Sequence, residues 1–239
     1  MLELVSSRAY LARILTRRGR FELVRRVLHS GYDDLEAADT GEPDQGQLER
    51  ADLLDVEALV HFYKGELPWA LERCTESLDM LDSVERSESE PDLESERSGI
   101  LATRALIHAG LGDFPSAFAD CDRAIEIESR RAQEGYDTSA MWCALHTAVR
   151  ATLLRQSGDG EGALVAISQA LERLQALPAN QQAHLGPSLA KMYFELGQIQ
   201  AALENNEEAL QSLTRAAGLL ESEMLQGKGH LIATLVEVY

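Results

Sequence analysis

A short pattern returns five times along this chain at a nearly constant step, and that period constrains the fold more than any other feature. The copies are GRFELVRRVL from Gly19, GELPWALERC from Gly65, GDFPSAFADC from Gly112, GDGEGALVAI from Gly158 and ENNEEALQSL from Glu204. Their starts lie 46, 47, 46 and 46 residues apart. Unrelated amphipathic helices would not hold register over a whole chain, whereas repeats that bury their apolar faces on one another must.

What recurs is residue size at fixed offsets, the property that sets how closely helices approach. Seven residues before each turn stand Ala12, Ala58, Ala105, Ala151 and Gly197. Five residues after each turn begins come Val24, Ala70, Ala117, Ala163 and Ala209, and twelve after it Gly31, Ser77, Ala124, Ala170 and Ala216. A larger column runs between them through Leu28, Cys74, Cys121, Ile167 and Leu213. Phe21, Leu67 and Phe114 wedge their hairpins, a column from which Gly160 and Asn206 depart.

Each copy therefore reads as a helix A, a tight turn with glycine in the left-handed conformation, and a helix B. The spacing predicts helices over about 3–18 and 21–36, 47–64 and 67–83, 96–111 and 114–131, 138–157 and 160–176, and 187–203 and 206–224. In the fifth turn, Glu204-Asn205-Asn206, asparagine is the expected carrier of positive φ. Breakers mark the connectors at Thr40-Gly41-Glu42-Pro43, Pro91-Asp92, Gly135, Pro178-Ala179-Asn180 and Gly186-Pro187.

The columns resemble the tetratricopeptide repeat (TPR) along nearly the whole chain, with Leu196-Gly197 as the family's Leu-Gly pair and Gly112-Asp113-Phe114 as its turn. Two departures are plain. The family's aromatic near the start of helix A is replaced by Arg8, Leu54, Leu101 and Thr147, with only Tyr193 aromatic, and the period is about 46 rather than 34. The long step is similar to repeats of bacterial sensory and transcription-regulatory proteins. The resemblance implies an all-α, right-handed superhelical solenoid of about five antiparallel hairpins. It would form one domain over 1–239, with repeats near 3–46, 47–95, 96–137, 138–180 and 181–226 and a partner in the concave groove.

Composition narrows the functional classes. With 22 basic against 40 acidic residues the net charge is -18, which repels a phosphate backbone and argues against nucleic acid as a partner. No run of apolar residues is long enough for a membrane span, and three cysteines outside any CxxC spacing fit a reducing, cytoplasmic compartment. The charge is uneven. Residues 1–30 hold seven Arg and two Glu, a balance of +5, while residues 31–100 hold 21 acids and five bases, a balance of -16. That layout suits either a bipolar binding surface or an end on which an acidic domain docks. The acidic connector from Ser83 to Ser98 reads as a solvated loop rather than an electrostatic site.

Residues that could carry chemistry have structural readings. His61 and His108 occupy one column in successive copies, which packing explains better than a shared ligand site. Cys143 and His146, three apart on one helix face, supply two metal ligands where three or four are needed. Cys74 and Cys121 belong to the core column. Gly158-Asp159-Gly160-Glu161-Gly162 follows a helix, not a strand, and carries two acids, so it is a hairpin turn and not a phosphate loop. With no nucleophile or zinc-protease motif present, no catalytic residue, cofactor or metal is expected.

The family places helix A on the concave side. The inward positions are then Ser6, Ala9, Arg13 and Thr16; Asp52, Asp55, Leu59 and Phe62; Ala102, Leu106 and Ala109; Leu145, Ala148, Thr152 and Arg155; and Lys191, Phe194, Gln198 and Ala201. This makes an amphipathic trough with Leu59, Phe62, Leu106 and Phe194 at its centre and Arg13, Asp55, Arg155, Lys191 and Gln198 towards its ends. An amphipathic helix of a protein or peptide partner would fit it. The Lys/Asn clamp by which one branch of the family grips a terminal carboxylate is absent.

The expected function is a protein-interaction scaffold or regulatory module. The competing class is a peptide or small-ligand sensor domain of a larger bacterial signalling protein. Residues 229–239 place Leu231, Leu235 and Tyr239 on one stripe, readable as a capping helix or as the start of a sixth repeat. The second reading predicts a longer protein and self-association through this end.

Overall fold

A computed structural model describes residues 2–38, 43–83, 93–182 and 185–225. Among them regular structure is entirely helical, in ten long helices and one short one. The long helices are α1 (Leu2–Arg17), α2 (Phe21–Ala37), α3 (Pro43–Tyr63), α4 (Leu67–Ser83), α5 (Leu93–Gly110), α6 (Phe114–Gln133), α7 (Ser139–Gln156) and α8 (Gly160–Gln175); α9 (Ala179–Gln182) is a single turn, followed by α10 (Gly186–Ala202) and α11 (Asn206–Leu225). Pro43, Pro68, Pro115 and Pro187 all stand in the first turn of their helices, where a missing N–H costs nothing.

The five turns are closed alike. In each, the residue in the glycine column donates its N–H to the carbonyl three residues back and the next residue donates to the carbonyl five back, as in Gly112 to Ala109 at 3.0 Å and Asp113 to His108 at 2.9 Å. This double bond pattern requires a left-handed residue at the column position. Gly19, Gly65, Gly112 and Gly158 supply it with φ between 63° and 94°, and the fifth turn meets the same requirement with Glu204 at φ 63°. The expectation that an asparagine would take this role is corrected: the column position decides, and Asn205 and Asn206 fall one and two residues beyond it.

The chain divides into two compact units, 1–113 and 114–239. In the first, α1 pairs with α2 and α3 with α4, while α1 and α5 pack against α3. In the second, α7 pairs with α8 and α10 with α11, α6 packs on α7, and α10 lies against α8. Ala12, Ala58, Ala105 and Ala151 are completely buried, as are Ala70, Ala117 and Ala163, so the small columns are where helices meet. Leu53 and Ile107 fill the first unit and Leu153, Ile167, Leu174, Ile199 and Leu220 the second, each worth about 1.5–3 kcal/mol of burial. Gly160 breaks the wedge column for a steric reason, since a Cβ there would lie 2.9 Å from Leu203 Cδ2.

The acidic connector is shorter than its sequence suggests. Residues 93–98 begin α5, with Ser98 buried and Arg97 reaching Asp82 and Glu94, so the loop reading is corrected for that stretch. Residues 84–92 of the connector lie outside the described residues, as do the 229–239 segment, His184 and His230.

Candidate functional site

Residues three, seven and ten apart share one face of a helix, so Asp52, Asp55, Leu59 and Phe62 form a single stripe on α3. Beside them α1 contributes Ser6 and Arg13, and α5 contributes Leu106. Leu59, Phe62 and Leu106 are half-buried, and Phe62 meets Tyr63 edge to face at 5.8 Å. Ala9, Thr16, Ala102 and Ala109, expected to line the same trough, are instead buried under neighbouring side chains.

The polar part of this face is internally paired. The Arg13 guanidinium donates to Asp52 and, at 3.0 Å, to Asp55, while the Ser6 hydroxyl reaches both Glu49 carboxylate oxygens at 2.8 Å. Burial lifts Asp52 to about 6 against the pull of Arg13, and Asp55 and Glu49 add to the rise. Asp55 is raised by burial too, again opposed by Arg13. Burial disfavours the Arg13 charge, but Asp55, Asp52 and Glu96 outweigh it and hold the guanidinium above its ordinary range. Arg13 and Asp55 thus join α1 to α3. Glu49, the partner of Ser6, was not recognisable from the sequence as part of this face, because it lies one turn before the stripe that periodicity picks out.

In the second unit Arg155 of α7 meets Glu195 of α10 at 2.7 Å, again one helix A reaching the next. Glu195 is a residue that sequence reasoning missed, although it adjoins Phe194. Phe194 packs half-buried on the unit's core, Gln198 is half-buried and Lys191 is exposed.

The remaining chemistry-bearing residues have local partners. His61 and His108 do the same thing in successive turns, Nδ1 meeting Glu66 at 2.6 Å and Asp113 at 3.5 Å, which ties helix A to the residue after the glycine. Cys143 Sγ lies 3.2 Å from both the Ser129 hydroxyl and an Arg173 Nη1. His146 stacks on Trp142, and burial pushes its imidazole down to about 4 although Glu128 pulls the other way. Cys121 is buried and its thiol is pushed up to about 12 by burial. No group of three or more metal-ligating side chains occurs among the described residues. Asp159 caps α8 by accepting the Gly162 N–H at 2.8 Å, which makes the glycine-rich string a helix start. No described helix is long and apolar enough to cross a membrane.

No protein-family model matches the sequence, and no curated protein matches it. Solved structures do match. BtubC (BKLC) from P. vanneervenii superposes with a TM-score of 0.65 at 19% identity, over 92% of this chain and 81% of that one. A Podosopora anserina protein assigned as a kinesin light chain, with nearly identical TPR-like repeats, gives 0.58 at 16% identity, over 92% and 96%. A Rap protein complexed with Competence and Sporulation Factor gives 0.58 at 16% identity, over 100% and 71%. At these identities the likeness is one of fold, and the fold is that of the TPR-like helical repeats.

Proposed function

We propose that this chain is a protein-interaction module that holds a partner segment against its helix A faces. The observation that carries this reading is the pairing of the charges there. Arg13 pairs with Asp52 and with Asp55 Oδ2, leaving Asp55 Oδ1 buried without a hydrogen-bond partner, and Arg155 pairs with Glu195, while Leu59, Phe62, Leu106 and Phe194 remain only half-buried. In each unit a partner therefore gains most by covering apolar side chains, with Arg13 and Asp55 bordering them in the first and Arg155, Lys191 and Gln198 in the second. An amphipathic helix matches that demand. The cysteines Cys74, Cys121 and Cys143 are free and buried, in keeping with a reducing, cytoplasmic setting. Binding, not catalysis, is the role proposed for these repeats.

The second reading is a peptide-sensing domain of a signalling protein. It draws support from one matched structure, the Rap protein, having been solved with Competence and Sporulation Factor. The test of both begins with a pull-down using the native gene product, followed by affinity measurements on single variants. Phe62→Ala, Leu106→Ala and Phe194→Ala are each expected to cost over about 1 kcal/mol of binding and Lys191→Ala much less. If Phe62→Ala, Leu106→Ala, Phe194→Ala and Lys191→Ala all leave affinity untouched, the partner uses another surface. A short peptide as the captured species selects the sensor reading.

A further inference from the structure

Carboxylates are abundant in this chain, and many of its arginines use them. Arg8 meets Asp34, Arg13 meets Asp52 and Asp55, Arg73 meets Glu72 and Glu76, Arg150 meets Asp122 and Arg155 meets Glu195. Arg17, Arg18, Arg20 and Arg26 break this rule. All four are exposed, none forms an ion pair with a described carboxylate, and Arg17 acts on Asp55 only at a distance. They stand within ten positions of one another, around the α1–α2 turn, where the nearest carboxylate in sequence, Glu22, pairs with Arg25, so their like charges repel one another.

The same hairpin exposes apolar side chains. Leu4 and Leu11 stand a seven-residue step apart on α1, as do Tyr10 and Arg17, and Arg18 follows in the turn just past the end of the helix. Leu4, Tyr10, Leu11 and Arg17 occupy the arc roughly opposite Val5, Ala9 and Ala12, which are packed into the first unit's core with Val24, Leu28, Leu53 and Val56. Tyr10 is 68% exposed, Leu4 47% and Leu11 46%, and Leu23 near the start of α2 is 39% exposed. Unpaired cations flanking uncovered apolar residues describe a surface that lacks its complement.

We infer that this face of the first hairpin docks an acidic amphipathic segment of another protein, whose carboxylates meet Arg17, Arg18, Arg20 and Arg26 and whose apolar residues cover Tyr10 and Leu11. The mixed character of the face decides the class of partner. A nucleic acid would bring charge but no apolar side chains for Leu4 and Leu11, and would approach a chain of net charge -18. A second copy of this chain also exposes carboxylates, among them Glu161, Glu207 and Glu208, and the oligomeric state distinguishes that occupant from the acidic segment of another protein. The surface is separate from the Asp52–Phe62 stripe and adds a second contact to the function proposed above.

The probe is a fluorescein-labelled synthetic helix with leucines along one side and glutamates along the other, titrated with the full chain and read by anisotropy. The same helix with lysine in place of glutamate is the comparison. The glutamate helix is expected to bind and the lysine helix not to, with affinity falling steeply between about 50 mM and about 300 mM salt. Arg17→Glu combined with Arg18→Glu is expected to weaken binding at least about tenfold, and Tyr10→Ser with Leu11→Ser severalfold. Arg123→Gln, which removes an exposed charge from the second unit, leaves it unchanged. If charge reversal disturbs the helical circular dichroism, Arg18→Gln with Arg20→Gln replaces it, with a severalfold loss expected. No binding at low salt, equal binding of both helices, or indifference to the arginine changes overturns the inference. So does tighter binding to anionic vesicles or single-stranded RNA, or a dimer that the arginine changes dissolve, because each assigns the face to a different occupant.

Discussion

Gly197 of α10 lies directly against Leu213 of α11: a Cβ added to the glycine would stand 2.7 Å from Leu213 Cγ and 2.8 Å from Cδ2. The close approach of this hairpin's helices therefore depends on the absence of one carbon. Gly197→Ala is expected to destabilise the second unit by about 1–3 kcal/mol through overpacking. Gly218, in the same hairpin, has nothing within 4 Å of its would-be Cβ, so Gly218→Ala is expected to stabilise by up to about 1 kcal/mol through helix propensity. Thermal denaturation of the two variants should move Tm in opposite directions.

The alanine columns make the same demand elsewhere. Ala163 is completely buried where α8 meets its neighbours, and a leucine there adds three carbons to a filled space. Ala163→Leu is expected to cost about 1–3 kcal/mol. Glu126→Gln, which loosens only the exposed Arg123–Glu126 pair, should stay within about 0.5 kcal/mol of the parent. Urea midpoints that shift equally for both would contradict the column alignment.

These columns were legible because sterics repeat: every hairpin faces the same closeness requirement, so size recurs even where residue identity does not. The turn at Glu204 shows how far that logic reaches, since register placed the left-handed residue where residue preference pointed to asparagine. The start of α5 was less legible. Its acidic first turn resembles a solvated run in sequence, yet Glu94 and Glu96 there favour the positive end of the helix. The paired face was legible only by stripe. Periodicity put Arg13 and Asp55 on inward positions, but whether a guanidinium spans from α1 to α3 depends on side-chain reach between helices, which no periodicity encodes. The same holds for Arg155 and Glu195.

Asp52 gives the first unit a specific response to pH. Its carboxyl titrates near 6 in the fold against an ordinary value of 3.8, raised chiefly by burial, and Asp55 moves in the same direction. A raised carboxylate means that the folded state binds the proton more tightly than the unfolded chain. Its stabilising contribution is full below about 4 and is lost as pH rises through about 6. The first unit should therefore melt higher near pH 5 than near pH 7.5, and Asp52→Asn should flatten that difference. The chain has two tryptophans, Trp69 in the first unit and Trp142 in the second, so Trp142→Phe leaves fluorescence that reports the first unit alone. A first-unit melt that drops between pH 7.5 and pH 5 by this readout would remove Asp52 as the titrating group.

His146 sets the opposite sign in the second unit. Burial against Trp142 lowers its imidazole to about 4 from an ordinary 6.5, with Glu128 opposing the fall only in part. The unfolded chain then takes up a proton below about 6.5 that the folded chain refuses until about 4, so stability is full above that window and is lost as pH falls through it. With Trp69→Phe, the remaining Trp142 reports the second unit, whose Tm should decrease by several degrees between about pH 7 and about pH 5. His146→Gln removes the titrating group; whatever it costs at neutral pH, the loss between the two pH values should shrink. The two single-tryptophan proteins are thus expected to change Tm in opposite directions over one pH interval. A second unit whose melting is level across that interval in the parent, or whose acid loss persists undiminished in His146→Gln, would show that the imidazole is not held neutral by its burial.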